Sequence, residues 1–178
     1  MFVRRRHAVA AVLAVALLTT GCGSPASSPT PEPTATAPSP TDSDTAAFAA
    51  AEATYRAYVD ALNAVDLSDP TTFEPVYALT TGEMRDETTA TFSEMRDQGW
   101  RVEGESTVRS LSLSGATPET VELSVCLDVH EVLVRDSAGS PVTSNERSPV
   151  QTLTITVALD SGRGLIHRIA PRDNGPAC

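Results

Sequence analysis

Two thiols, Cys126 and Cys178, stand 52 residues apart in the C-terminal part of the chain. In an oxidising compartment such a pair joins as a disulfide, and closing a loop of that length contributes about 4 kcal/mol in the chain-entropy account. Nucleophilic chemistry would instead need a nearby base and an export route that leaves a thiol reduced. Asp128 and His130 alternate along one strand face, and His167 follows on a later strand. Two histidines and a carboxylate suit zinc if those strands adjoin. Scattered Asp and His on a wet face serve solubility equally well, so no metal and no cofactor are assigned. Tyr55, Tyr58, Tyr77 and Trp100 are the candidates to line a pocket, and core packing is the competing role of aromatics at helical spacing. Asp60 and Asp66 would need burial or a charged neighbour to act as bases. Both lie off the apolar stripe or at its end, where capping and solvation are the simpler roles. No GxSxG, HExxH, CxxC or phosphate-loop motif is present, so no catalytic residue is assigned.

The elements that must position these residues change character near Trp100. Phe48, Ala51, Tyr55, Tyr58, Val59, Leu62 and Val65 recur at three- and four-residue steps, which predicts an amphipathic helix over about 45–66, capped by Asp44 or Thr45. Asp69-Pro70 restarts the chain, and Pro75 should kink or split the short helix that follows. Thr80 and Glu83 have capping-box spacing ahead of a third helix, whose stripe of Met84, Thr88, Phe92 and Met95 stops at Gly99. Beyond it the period is two, and residues 100–113, 119–135, 149–160 and 164–170 read as four strands. Val121, Leu123, Val125 and Leu127 alternate with Glu122, Ser124, Cys126 and Asp128. One face of the sheet is therefore buried and one wet, as in an antiparallel sheet covered on one side. Phase shifts near Arg109 and Glu131 predict bulges that curve it. Cys126 falls on the wet face, where a tail running on from Pro171 can cross and reach it. The expected class is α+β, with N-terminal helices packed on a curved antiparallel sheet of about four strands, in one domain over 46–178.

The N-terminus is built differently. Arg4, Arg5 and Arg6 precede an uncharged run from Ala8 to Leu18. Eleven helical residues cover roughly 16 Å against a hydrocarbon core of roughly 30 Å, too short to span, and the pattern is a secretory signal. The stretch LLTTGC (17–22) resembles a bacterial lipoprotein signal, whose small residue before the cut matches Gly21 and whose lipid-modified cysteine matches Cys22. That family prefers Leu where this chain has Thr19. The resemblance implies a signal peptide over 1–21 and a diacylglycerol thioether on Cys22, with the protein held at the outer leaflet of the cell membrane. Residues 22–45 form the tether; 23–45 carry six of the 13 prolines and no large apolar residue. Such a segment stays extended and solvated, reaching about 70 Å.

All 13 basic residues are Arg, and removing residues 1–21 moves the formal charge from −10 to −13. With no basic stripe to neutralise phosphates, nucleic acid is excluded as a partner. The composition resembles GC-rich actinobacterial coding. The run AYVDALNAVD (57–66), with the sheet that begins at Gly99-Trp100, is similar to the cone-shaped SnoaL-like fold shared with ketosteroid isomerases and nuclear transport factor. The chain also resembles actinobacterial lipoproteins of this design. The cone fold implies a cavity between helix and sheet that enzymes line with acids, histidines or tyrosines. No acid here falls clearly on the inner strand faces.

The expected function is a non-catalytic module at the cell envelope that binds a protein partner or a small apolar ligand. Alternatives are an isomerase- or hydratase-like enzyme using the cone, or an accessory subunit assembling through the sheet face, homodimer included. If the lipid at Cys22 is the anchor, Cys22→Ala releases the protein from the membrane fraction; retention there would defeat the assignment.

Overall fold

The computed structural model describes residues 42–144, 146–160, 163–173 and 178. The signal segment, Cys22, the tether up to residue 41 and the Ser161-Gly162 part of the hairpin turn lie outside the described residues. Helix α1 (Asp42–Asn63) starts three residues earlier than expected, taking 42–45 from the tether. Asp42 and Asp44 sit in its first turn, where the partial positive charge of a helix start stabilises carboxylates. The predicted stripe faces inward: Ala51, Tyr55, Tyr58 and Val59 are buried, and Phe48, Leu62 and Val65 pack around them.

Asp69 caps the next segment, its Oδ1 accepting from the Thr71 amide at 3.0 Å. The segment is split as Pro75 requires, into a 3₁₀ turn (Pro70–Phe73) and one helical turn, α2 (Glu74–Tyr77). Helix α3 (Gly82–Asp97) follows. Here the capping-box expectation fails. Thr81 occupies the N-cap position with no side-chain cap, and Thr80 is buried instead, bridged to Ile166 with its hydroxyl donating to the Tyr77 carbonyl at 3.2 Å. A tertiary pairing has outweighed the local spacing.

Among the described residues six strands follow where four were expected: β1 (Arg101–Glu103), β2 (Thr107–Ala116), β3 (Thr120–Asp128), β4 (Leu133–Arg135), β5 (Val150–Asp160) and β6 (Arg163–Pro171). All pairs are antiparallel, in a four-stranded sheet of order β2-β3-β5-β6 and a two-stranded sheet β1-β4. The registers show that β1-β2 and β3-β4 are the two arms of one long hairpin, interrupted. Arg101 faces Arg135 and Glu103 faces Leu133; the ladder then skips 104–106 and 129–132 and resumes at Thr107 opposite Asp128. The predicted strands 100–113 and 119–135 are thus each broken once, at the same level.

Gly104 supplies one half of the break. Its φ is +78°, and a Cβ there would collide with the Glu131 carbonyl in the turn between β3 and β4. Only glycine admits both the dihedral and the approach. The other half is the turn after β3, at the site of the bulge expected near Glu131. The bulge expected near Arg109 is present, between Val108 and Ser110, and another lies between Leu113 and Gly115.

Val121, Leu123 and Val125 on β3, Ile155 and Val157 on β5 and Ile166 on β6 form the sheet's covered face, all fully buried. Burying each such side chain stabilises the fold by roughly 1.5–3 kcal/mol. Helix α1 lies across this face, and Gly164 lets it settle, since a Cβ there would collide with the Thr54 hydroxyl. Phe73, Tyr77 and Phe92 pack ring on ring, with centroids 5.0–6.2 Å apart, and join the short helical turns to α3.

Candidate functional site

The hairpin break opens a cavity of about 230 Å³. The chain that ends α1 contributes Leu62, Val65 and Leu67, and α3 contributes Phe92 and Met95. The folded-over hairpin contributes Val102, Val132 and Val134. Of the polar residues among the described lining, Asn63 engages the Ser106 backbone with its side chain. The Asn63 Nδ2 donates to the Ser106 carbonyl at 2.9 Å, and its Oδ1 accepts from the Ser106 amide at 2.9 Å. This two-way bond satisfies backbone groups that the break would otherwise leave unpaired. It also fastens the end of α1 to the hinge of the hairpin. No acid, histidine or tyrosine is among the described residues of the lining, and most of its contacts are apolar.

A second, open groove of about 490 Å³ adjoins it, sharing Val65, Leu67 and Val102 with the cavity. Its remaining walls are polar or aromatic: Trp100, Arg96, Arg101, Asp66, Ser68 and Glu103. Asp66 accepts from the Ser68 hydroxyl at 2.7 Å and from the Ser68 amide at 2.8 Å, which holds its carboxyl below the usual range. Asp60 is exposed on α1.

The aromatic candidates part company. Trp100 lines the open groove. Tyr55 and Tyr58 are buried core residues stacked at 6.2 Å, and neither they nor the half-buried Tyr77 line the cavity or the groove. Burial pushes Tyr58 up to about 12, while burial and then the neighbouring Tyr58 push Tyr55 higher still. Both phenols are therefore held protonated. Helical spacing located the face correctly, but the sheet packs directly on it and buries Tyr55 and Tyr58.

Asp128 and His130 are in contact, but β5 lies between β3 and β6, so His167 is held elsewhere, beside Gly82 at the start of α3. No cluster of three metal-ligating side chains occurs among the described residues. Asp128 has a structural task that the sequence did not reveal. Its Oδ1 accepts from the His130 amide at 3.0 Å and meets His130 Nδ1 at 2.9 Å, while Oδ2 accepts from Arg109 Nε at 2.8 Å. The bulge at Arg109 aims that guanidinium. Arg147 completes the turn, donating to the Val129 and Val132 carbonyls at 2.7 Å each.

Cys126 is buried and bonded to Cys178 on the face away from α1. A disulfide belongs to an extracytoplasmic compartment. No helix among the described residues is long and apolar enough to cross a membrane.

His130 donates first to Asp128, and Arg109 follows, so the carboxyl is held well below its ordinary value of 3.8. A group depressed by folding stabilises the fold above its unfolded value and loses that contribution as pH falls toward the folded one. Melting temperature should therefore drop as pH falls below about 4. Asp128→Asn should melt lower at pH 7 and show a shallower acid limb; limbs of equal slope would contradict the assignment.

No protein-family model and no curated protein matches the chain. Among solved structures it is similar to the intermembrane space region of the chloroplast protein ARC6, at 16% identity and TM-score 0.49, over 70% of this chain and 95% of that one. It is also similar to a proposed aromatic ring hydroxylase from Novosphingobium aromaticivorans, at 12% identity and TM-score 0.46, over 69% of this chain and 85% of that one. A de novo β-sheet design matches at 18% identity and TM-score 0.29, over 75% of this chain and 89% of that one.

Proposed function

We propose that the chain is a lipid-anchored, non-catalytic binding module of the cell envelope, with a SnoaL-like cone that takes a small apolar ligand. Cys22 carries the lipid at the outer leaflet, the proline-rich segment is the spacer, and the α+β domain presents its cavity outside the membrane. The observation that carries this reading is the lining: apolar side chains from three directions, with the Asn63 amide already satisfied by the Ser106 backbone. An enzyme of the cone type would need an acid or base among those side chains. The exposed Val102, Leu133 and Val142 near the cavity favour a protein partner as the second reading.

The space suits roughly eight groups the size of a water molecule. At about 0.8 kcal/mol for each buried methylene, filling it contributes about 6 kcal/mol, which the cost of immobilising the ligand offsets in part. The neutral probe p-xylene, which is of that size, titrated calorimetrically into the full-length protein in zwitterionic nanodiscs, should bind saturably. Val134→Phe puts a ring into the cavity and should weaken binding at least about tenfold without lowering the melting temperature. Equal binding by both proteins, beyond that of empty nanodiscs, would place the probe elsewhere. No binding by either would move the weight to the partner reading.

A further inference from the structure

The structure assigns a head group to that ligand: we infer that it is an amphiphile with an anionic head, seated on Arg101 in the open groove, with its tail passing Val102 into the cavity. This rests on the reading of the cavity as a ligand site and adds the chemistry of the polar end.

The two spaces meet at Val65, Leu67 and Val102, so a molecule longer than the inner cavity extends into the groove. Val102 is 39% exposed at this junction, an apolar step between the two. Within the groove the other charged side chains have partners. Arg96 is paired with Asp97 at 2.9 Å, and Glu103 with Arg135 at 2.9 Å. Asp66 is turned onto Ser68. Arg101 is exposed and has no ion pair or side-chain hydrogen bond among the described residues. In a chain this acidic, a guanidinium left without a carboxylate beside an apolar cavity complements an anion. A guanidinium also presents paired donors that match a carboxylate or a phosphate. Trp100 adds an apolar wall next to Arg101. Fatty carboxylates and lipid phosphates share this chemistry, and the choice of probes separates them.

Octanoate, octyl phosphate, octanol and octyltrimethylammonium carry one tail and four heads. Each is titrated into the full-length protein in zwitterionic nanodiscs, with Trp100, the single tryptophan, as the fluorescent reporter and empty nanodiscs as the blank. The anions should bind about tenfold tighter than octanol, and octyltrimethylammonium more weakly than octanol. Whichever anion binds tighter identifies the head as carboxylate or phosphate. Arg101→Gln should remove the anion preference, whereas Arg85→Gln, on an exposed part of α3 outside the groove, should keep it. If octanol binds and the anions gain nothing over it, or the preference survives in Arg101→Gln, the head-group assignment falls and the cavity reading stands. If none of the four binds, both fall together.

Discussion

One amide side chain, Asn63, joins the last turn of α1 to the point where the long hairpin breaks. Its two bonds to the Ser106 backbone, each 2.9 Å, replace ladder hydrogen bonds that the break removes. Buried backbone groups left without partners would cost about 1–3 kcal/mol each, so the break is tolerable only with such a substitute. The same contact sets how far the helix end stands from the folded-over strands. That separation is the cavity. The apolar lining borders it, and Trp100 is fixed beside it by its amide donating to the Met95 carbonyl at 2.9 Å.

The break needs two further devices, one on each strand. On the first, Gly104 accepts a positive φ and the close approach of the Glu131 carbonyl. On the second, Asp128 and Arg147 consume polar groups of the turn, so β3 stops and β4 departs at a new angle. Arg109 is drawn into this arrangement by its bulge, which couples the curvature of the large sheet to the stability of the turn. The disulfide lies apart from these devices, tying the C-terminal residue to the far face of β3. It restrains the chain without shaping the cavity.

The order of helices and strands was legible because each rests on local periodicity: the stripe of α1, the split at Pro75 and the alternation along β3 and β5. The hinge was less so. A lone glycine in a strand pattern signals a bulge or a close backbone approach, and Gly104 carries that signal, but its partner at Glu131 is remote in sequence. Asn63 stood inside the run AYVDALNAVD, where only the contact with Ser106, 43 residues away, gives it a role. Thr80 misled for the same reason, since its spacing to Glu83 is a local cue and its bridge to Ile166 is not. The tyrosines were placed on the correct helix face, but periodicity cannot distinguish a face that lines a void from one covered by a sheet. The apolar residues of the cavity come from the α1 end, α3 and both strands of the hairpin, and no single stretch of sequence displays them.

The proposed function depends on an apolar, ligand-accepting space between α1, α3 and the hairpin. Xenon is the most direct probe, because it enters dry apolar cavities and gains nothing from polar ones. Crystals of the protein pressurised with xenon should show the atom bordered by Phe92, Met95 and Val134, with the surrounding side chains unmoved. Hydrogen-bonded waters in that space, or a collapsed wall with no xenon, would contradict the account.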